Sequence, residues 1–241
     1  MNLFRVRAVK AARMLVTSGI VLLITSGILA ASASAAHSGH QWAEELGGKL
    51  SNGSTRGLDV EQSSKTMTIT GTVQSQKLKL TSTVFDCALN SICQIKQVIE
   101  GEAGHARVYG KFRLLGVTVD EPTGCSTPGE ITTNNLVGEL VTGSGGIFAY
   151  LKLAPESGTT IASISLTGCA VAETYPVKGS ICAEMYGVGT MLIWQKLEFS
   201  EGINTVGCGS KSFTIGGNSA ALTGKVLASL VGGQVWGAVT Y

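Results

Sequence analysis

This sequence predicts an all-β fold, an antiparallel β-sandwich or barrel stapled by disulfides, on three observations. Apolar and polar residues alternate with period two over many short stretches. Charged residues make up only 14% of the 241 residues while Gly reaches 32, and Thr, Ser and Val recur throughout, a composition that favours strands and argues against disorder. Six cysteines, Cys87, Cys93, Cys125, Cys169, Cys182 and Cys208, follow a beginning that reads as an export signal, and an even count in a secreted chain reads as three disulfides.

That beginning has three parts. Arg5, Arg7, Lys10 and Arg13 form a basic region, residues 14–29 are apolar, and residues 31–36 are small. The pattern predicts a signal peptide over 1–36, cut after Ala35 or Ala36. The apolar run is shorter than the roughly 20 residues a spanning helix needs. Every later apolar run is interrupted, so no integral membrane segment is expected after signal removal. Four of the 18 basic residues leave with the signal and none of the 16 acidic ones, so the mature chain carries a net charge of −2. That excludes a basic footprint for nucleic acid and a polybasic membrane patch. About 205 residues remain, enough for one sizeable domain.

Residues 37–58 are polar and Gly-rich and read as a mobile leader. Within them Asn52-Gly53-Ser54 fits the glycosylation pattern and is also a good turn. Residues 59–241 read as a single all-β domain, with a candidate subdivision near 183–210. Thr66, Thr68, Thr70 and Thr72 alternate with Met67, Ile69, Gly71 and Val73, a half-buried strand. Leu78, Leu80 and Val84 alternate with Lys77, Lys79 and Thr81 as a second strand, with a bend near 74–76. Residues 87–97 are irregular and 100–104 read as a loop. Residues 107–119 hold one or two strands, with Gly110 and Gly116 as bends. Residues 120–124 are a turn, because Pro122 and Gly124 fix the local dihedrals. Residues 129–182 read as four strands paired consecutively and antiparallel. Residues 191–199 are a strand and 200–210 a loop. Leu222, Val226, Ala228 and Leu230 share a face, and 235–241 alternate as a partner strand that closes the chain as a hairpin.

Six cysteines allow 15 pairings. Sequence spacing suggests Cys87–Cys93 across a small loop, Cys169–Cys182 across the next strand connection and Cys125–Cys208 as the long-range staple. Zinc ranks below disulfides, because no pair has C-x-x-C spacing and only three histidines occur. Thr123-Gly124-Cys125, Thr167-Gly168-Cys169 and Val206-Gly207-Cys208 share a Gly-Cys ending, but unequal separations and unlike flanks argue against a repeat.

Residues 131–140 (ITTNNLVGEL), Leu151-x-Leu153-x-Pro155-x-x-Gly158, Leu166-Thr167-Gly168-Cys169 and residues 175–180 (YPVKGS) together make the chain resemble a group of uncharacterised secreted proteins from soil actinobacteria. The resemblance covers roughly residues 114–182 well and the remainder loosely. It implies an exported β-rich domain and no particular activity. Such proteins often carry a Gly-Cys ahead of the Pro-Thr-Gly-Cys turn, where this chain has Gly116-Val117. That departure takes a nearby partner from Cys125 and points it to a distant one.

No catalytic constellation is legible. A Ser–His–acid triad needs a general base, and His105, the histidine inside the domain, sits beside an expected loop with no G-x-S-x-G elsewhere. A glycosidase needs two carboxylates across a cleft, and nothing in the spacing of Asp120, Glu121, Glu139, Glu173 and Glu184 selects a pair. Cleavage after Ala36 would leave His37 as the first residue, whose amine and ring, with His40 or His105, could hold copper as in secreted polysaccharide monooxygenases. The aromatic closing strand also invites comparison with outer-membrane barrels. The reading favoured is an exported cell-surface or extracellular protein, a non-enzymatic binding or structural module. The alternatives are a secreted hydrolase or copper-dependent oxidase, and a β-barrel that binds an apolar ligand. No cofactor is implied and no partner is specified. The irregular loops at 87–105 and 200–210 are the first places to seek a site.

Overall fold

The computed structural model describes residues 39–44, 48–100, 103–142, 149–201 and 213–240. In chain order the strands are β1 (His40–Glu44), β2 (Gly48–Lys49), β3 (Thr55–Gln62), β4 (Met67–Val73), β5 (Gln76–Ser82), β6 (Val84–Cys87) and β7 (Gln94–Glu100). Next come β8 (Ala103–Gly110), β9 (Phe112–Leu115), β10 (Thr118–Glu121), β11 (Glu130–Thr132), β12 (Leu136–Thr142), β13 (Ala149–Pro155) and β14 (Thr160–Ser165). The last seven are β15 (Thr174–Lys178), β16 (Ile181–Met185), β17 (Trp194–Phe199), β18 (Thr214–Ile215), β19 (Asn218–Ser219), β20 (Ala221–Leu230) and β21 (Trp236–Thr240).

Eight of these close into an antiparallel barrel in the order β3, β7, β8, β12, β13, β16, β17, β20 and back to β3. The all-β expectation holds, and of its two forms the barrel is the one found. Period-two alternation explains the wall. Leu58, Val60, Ile95, Val108, Leu140, Leu151, Leu153, Met185, Leu197, Val226 and Ala228 are buried and point inward, while the residues between them face out. Inward Gly138 is required by packing, since a Cβ there would lie 2.8 Å from Leu153 Cδ2 and 2.9 Å from Leu151 Cδ1.

β20 is shared. Its second half pairs with β3 (Val226↔Gln62 to Leu230↔Leu58) and its first with β4 (Ala221↔Thr70 to Thr223↔Thr68). From β4 the sheet continues to β5 and β10. The corner between the two halves is Gly224, with φ +143° and Met67 Sδ where a Cβ would go. Two smaller sheets, β6–β9–β11 and β14–β15–β18–β19, complete the described residues beyond the barrel's rim. There Phe112 stacks on Phe85 at 5.5 Å, and Phe85 meets Phe199 of the barrel wall at 6.2 Å.

β1 and β21 pair with each other from His40↔Thr240 to Glu44↔Trp236 and plug the opposite mouth. Two fully buried glutamines of the wall hold them. Gln97 Oε1 accepts from the Trp42 backbone N–H at 2.8 Å, and Gln195 Nε2 donates to the Trp236 carbonyl at 2.6 Å. Each indole N–H is also satisfied, Trp42 by the Arg107 carbonyl at 3.0 Å and Trp236 by the Ile193 carbonyl at 3.2 Å. The rings pack at 5.3 Å.

Several expectations are corrected. Residues 37–58 are not a mobile leader over their described part, because β1 is buried and β3 is a barrel strand. The closing hairpin does not form. Val231, Gly232 and Gly233 turn the chain away, and β21 pairs with β1 instead of β20. The stretch 129–182 does supply successive antiparallel pairs β12–β13 and β14–β15. However, β13 pairs onward with β16, so β14–β15 leaves the barrel as an inserted hairpin. No boundary falls at 183–199, since β16 and β17 are neighbours in one wall. Cys87–Cys93 is bonded as expected. Cys125 bonds Cys169, which overturns both Cys169–Cys182 and Cys125–Cys208. Cys182 is disulfide-bonded too, and Cys208 lies outside the described residues, as do the signal segment, His37 and most of the 200–210 loop.

Candidate functional site

The loop closed by Cys87–Cys93 is the most outward-facing apolar feature. β6 ends at Cys87 and β7 begins at Gln94, so six residues connect strands of two different sheets. Asn90 turns the chain at φ +60°, a conformation its short polar side chain tolerates. The loop is tied down on every side. The Ala88 N–H donates to the Lys111 carbonyl at 2.9 Å, Ser91 N–H to the Ala88 carbonyl at 3.0 Å, and Lys111 N–H to Ser91 Oγ at 3.1 Å. Leu58 N–H donates to the Cys93 carbonyl at 2.8 Å. Gly110 leaves room for the disulfide, for a Cβ there would lie 2.7 Å from Cys93 Sγ. On this fixed frame Leu89 is 74% and Ile92 75% exposed, the highest values among the large apolar residues described. Beside them is an open groove of about 610 Å³, lined by Tyr109, Lys111, Asn135 and Glu156 among others. Its one cation and one anion leave it without a dominant charge.

The expected candidates go elsewhere. His37 is outside the described residues. His40 is buried in the plug, where Nε2 shares a hydrogen bond with Thr142 Oγ1 at 3.0 Å and Nδ1 has no hydrogen-bond partner among the described residues. Burial lowers its pKa from the usual 6.5. His105 stands on the outer wall with Nδ1 on Glu139 Oε1. The two imidazoles thus have separate oxygen partners, one at the barrel mouth and one outside. Among the described residues no three His, Cys, Asp or Glu side chains group as a metal site. The carboxylates do not converge either. Asp120 binds Thr81 and Lys79 on the β4–β5–β10 sheet, Glu139 holds His105, Glu173 accepts from Gln74 at 3.0 Å, and Glu184 is on β16.

The barrel interior and exterior each bear on an alternative reading. Inside, the space among Trp42, Phe112, Leu151, Phe199 and Trp236 is about 20 Å³, room for about one water, so the described barrel interior holds no chamber the size of an apolar ligand. Outside, Lys96, Arg107, Glu139 and Lys152 lie in register across four strands. Glu184, Glu198 and Lys225 do the same across three. Such rows are incompatible with the apolar outer band of a membrane barrel. No helix among the described residues is long and apolar enough to cross a membrane.

Comparison with protein-family models, with curated proteins and with solved structures finds no match. Sequence reading named the 87–105 region for its irregularity. It did not single out Leu89 and Ile92, although two large apolar residues inside a six-residue cysteine interval were the available signal.

Proposed function

We propose that this chain is an exported binding module acting at the cell surface or outside the cell, and that it engages its partner through the Cys87–Cys93 loop. The observation that carries this reading is the pair Leu89 and Ile92, 74% and 75% exposed on a loop fixed by a disulfide, three backbone–backbone hydrogen bonds and one from the Lys111 N–H to Ser91 Oγ. A rigid apolar projection loses little conformational entropy on binding. Export is supported by the signal-like beginning, by the resemblance to exported proteins, and by disulfides, which suit an oxidising compartment.

Burying both side chains contributes about 3–6 kcal/mol. The double variant Leu89→Ser/Ile92→Ser therefore lowers affinity for intact producing cells by about 100-fold or more. Its thermal stability stays close to wild type, because the replaced side chains already face water. Cell-binding isotherms of the purified protein test this, and equal binding by the variant refutes the role of the loop.

A further inference from the structure

We propose, resting on the Cys87–Cys93 loop as the contact site, that the groove beside it holds an uncharged stretch of saccharide chain, so that the partner is a surface glycan. At about 610 Å³ the groove has the size of a pre-formed ligand site. Its frame is fixed. Gln94 opens β7 and Tyr109 lies near the end of β8, opposite each other in register. Asn135 and Glu156 flank the β12–β13 pair and are joined where the Glu156 N–H donates to the Asn135 carbonyl at 2.9 Å. The disulfide-closed loop contributes Asn90.

Three features select the occupant. First, the side chains of Asn90, Gln94 and Asn135 have no hydrogen bond among the described residues. Three amides, each both donor and acceptor, are thus left to bond outward. A sugar hydroxyl is likewise donor and acceptor at once. The half-buried ring of Tyr109 adds an apolar surface on which the C–H side of a sugar ring can rest. Second, the charged residues lining the groove are Lys111 and Glu156, one of each sign. Neither a polyanion nor a polycation gains net attraction there.

Third, the strands behind the groove have no open edge. Gln94 pairs with Gly57 on one side and Tyr109 on the other, Tyr109 with Gln94 and Val137, and Leu136 with Gly110 and Pro155. An extended peptide would find no backbone ladder to join, whereas a saccharide needs only side chains. A lipid chain would bury the three amides without partners, at a cost.

The test is binding of the purified protein to intact producing cells treated beforehand with sodium periodate, which cleaves the vicinal diols of glycans, or with protease, which removes surface polypeptide. Periodate is expected to weaken binding about tenfold or more, and protease to leave it unchanged. Asn135→Ala and Tyr109→Ala each weaken binding to untreated cells about three- to tenfold, with circular dichroism as the check on folding. Asn135 is exposed, so its replacement leaves the fold intact. Full binding after periodate overturns the saccharide, as does loss of binding after protease or full binding by both groove variants. Failure of the loop as contact site shows differently, as equal binding by Leu89→Ser/Ile92→Ser.

Discussion

At position 40 an imidazole is buried with one of its two nitrogens unpaired among the described residues. Nε2 meets Thr142 Oγ1 while Nδ1 has no hydrogen-bond partner there, so the neutral ring is tolerated and the charged ring is not. Burial accordingly holds the folded pKa below the usual 6.5. The sign follows from linkage. Above pH 6.5 the ring is neutral in both states and the full stability is present. As pH falls below 6.5 the unfolded chain takes up a proton that the folded chain resists, and stability drops until the folded pKa is reached. The slope from this one group is at most about 1.4 kcal/mol per pH unit. Denaturant midpoints measured between pH 8 and pH 5 are expected to fall in the wild type, and to fall less in His40→Gln. Parallel curves for the two proteins would remove His40 from the explanation. Sequence alone offered His40 as a metal ligand because a histidine near a new N-terminus is a familiar pattern. What fixed its surroundings was pairing with residues some 200 positions away, which local spacing does not encode.

Among the elements, β20 joins the barrel to the β4–β5–β10 sheet, and Gly224 is where it changes partners. The backbone there has φ +143°, and a Cβ would overlap Met67 Sδ. Gly224→Ala therefore incurs both a conformational penalty and a steric one, together about 1–3 kcal/mol. Gly53 is the control, since its φ is +80° but the space around it is open, so alanine there meets only the conformational penalty of about 1–2 kcal/mol. Chemical denaturation of both variants separates the two terms; a Gly224→Ala loss no larger than that of Gly53→Ala would show that Met67 simply moves aside. The shared face of Leu222, Val226, Ala228 and Leu230 was legible from period two, and so was β4 from its Thr/Ile alternation. The change of partner was not, because alternation reports which side is buried and never which strand is the neighbour. The same limit produced the false closing hairpin. β1 was missed for a different reason: five residues are too short for periodicity to register, and Trp42 was the one sign that a polar segment had something to bury.

Across the whole molecule, the disulfides tie together pieces that the strand order leaves apart. Gly124 and Gly168 both have left-handed backbones, φ +82° and +77°, and a residue beside each turn meets the other in a short bridge, Ser126↔Thr167, with both amide bonds at 2.9 Å. Matched Thr-Gly-Cys turns therefore set Cys125 beside Cys169, which join the turn after β10 to the turn after β14. The sequence displayed the two tripeptides, but their pairing follows from two turns facing each other across different sheets. Loop length then ranks the bridges. Cys125–Cys169 spans 44 residues and Cys87–Cys93 spans 6, so the chain-entropy model assigns about 4 kcal/mol to the first and about 2 kcal/mol to the second. Replacing Cys125 and Cys169 together by alanine is expected to lower Tm by roughly 8–16 °C for a domain of this size, against about 4–8 °C for Cys87 and Cys93. Calorimetry of the two double variants checks the order. The smaller thermal loss should accompany the larger loss of cell binding, because the short bridge fixes Leu89 and Ile92 while the long one fixes the fold. A Cys87→Ala/Cys93→Ala protein that still bound cells at full affinity would show that the loop needs no tether to act.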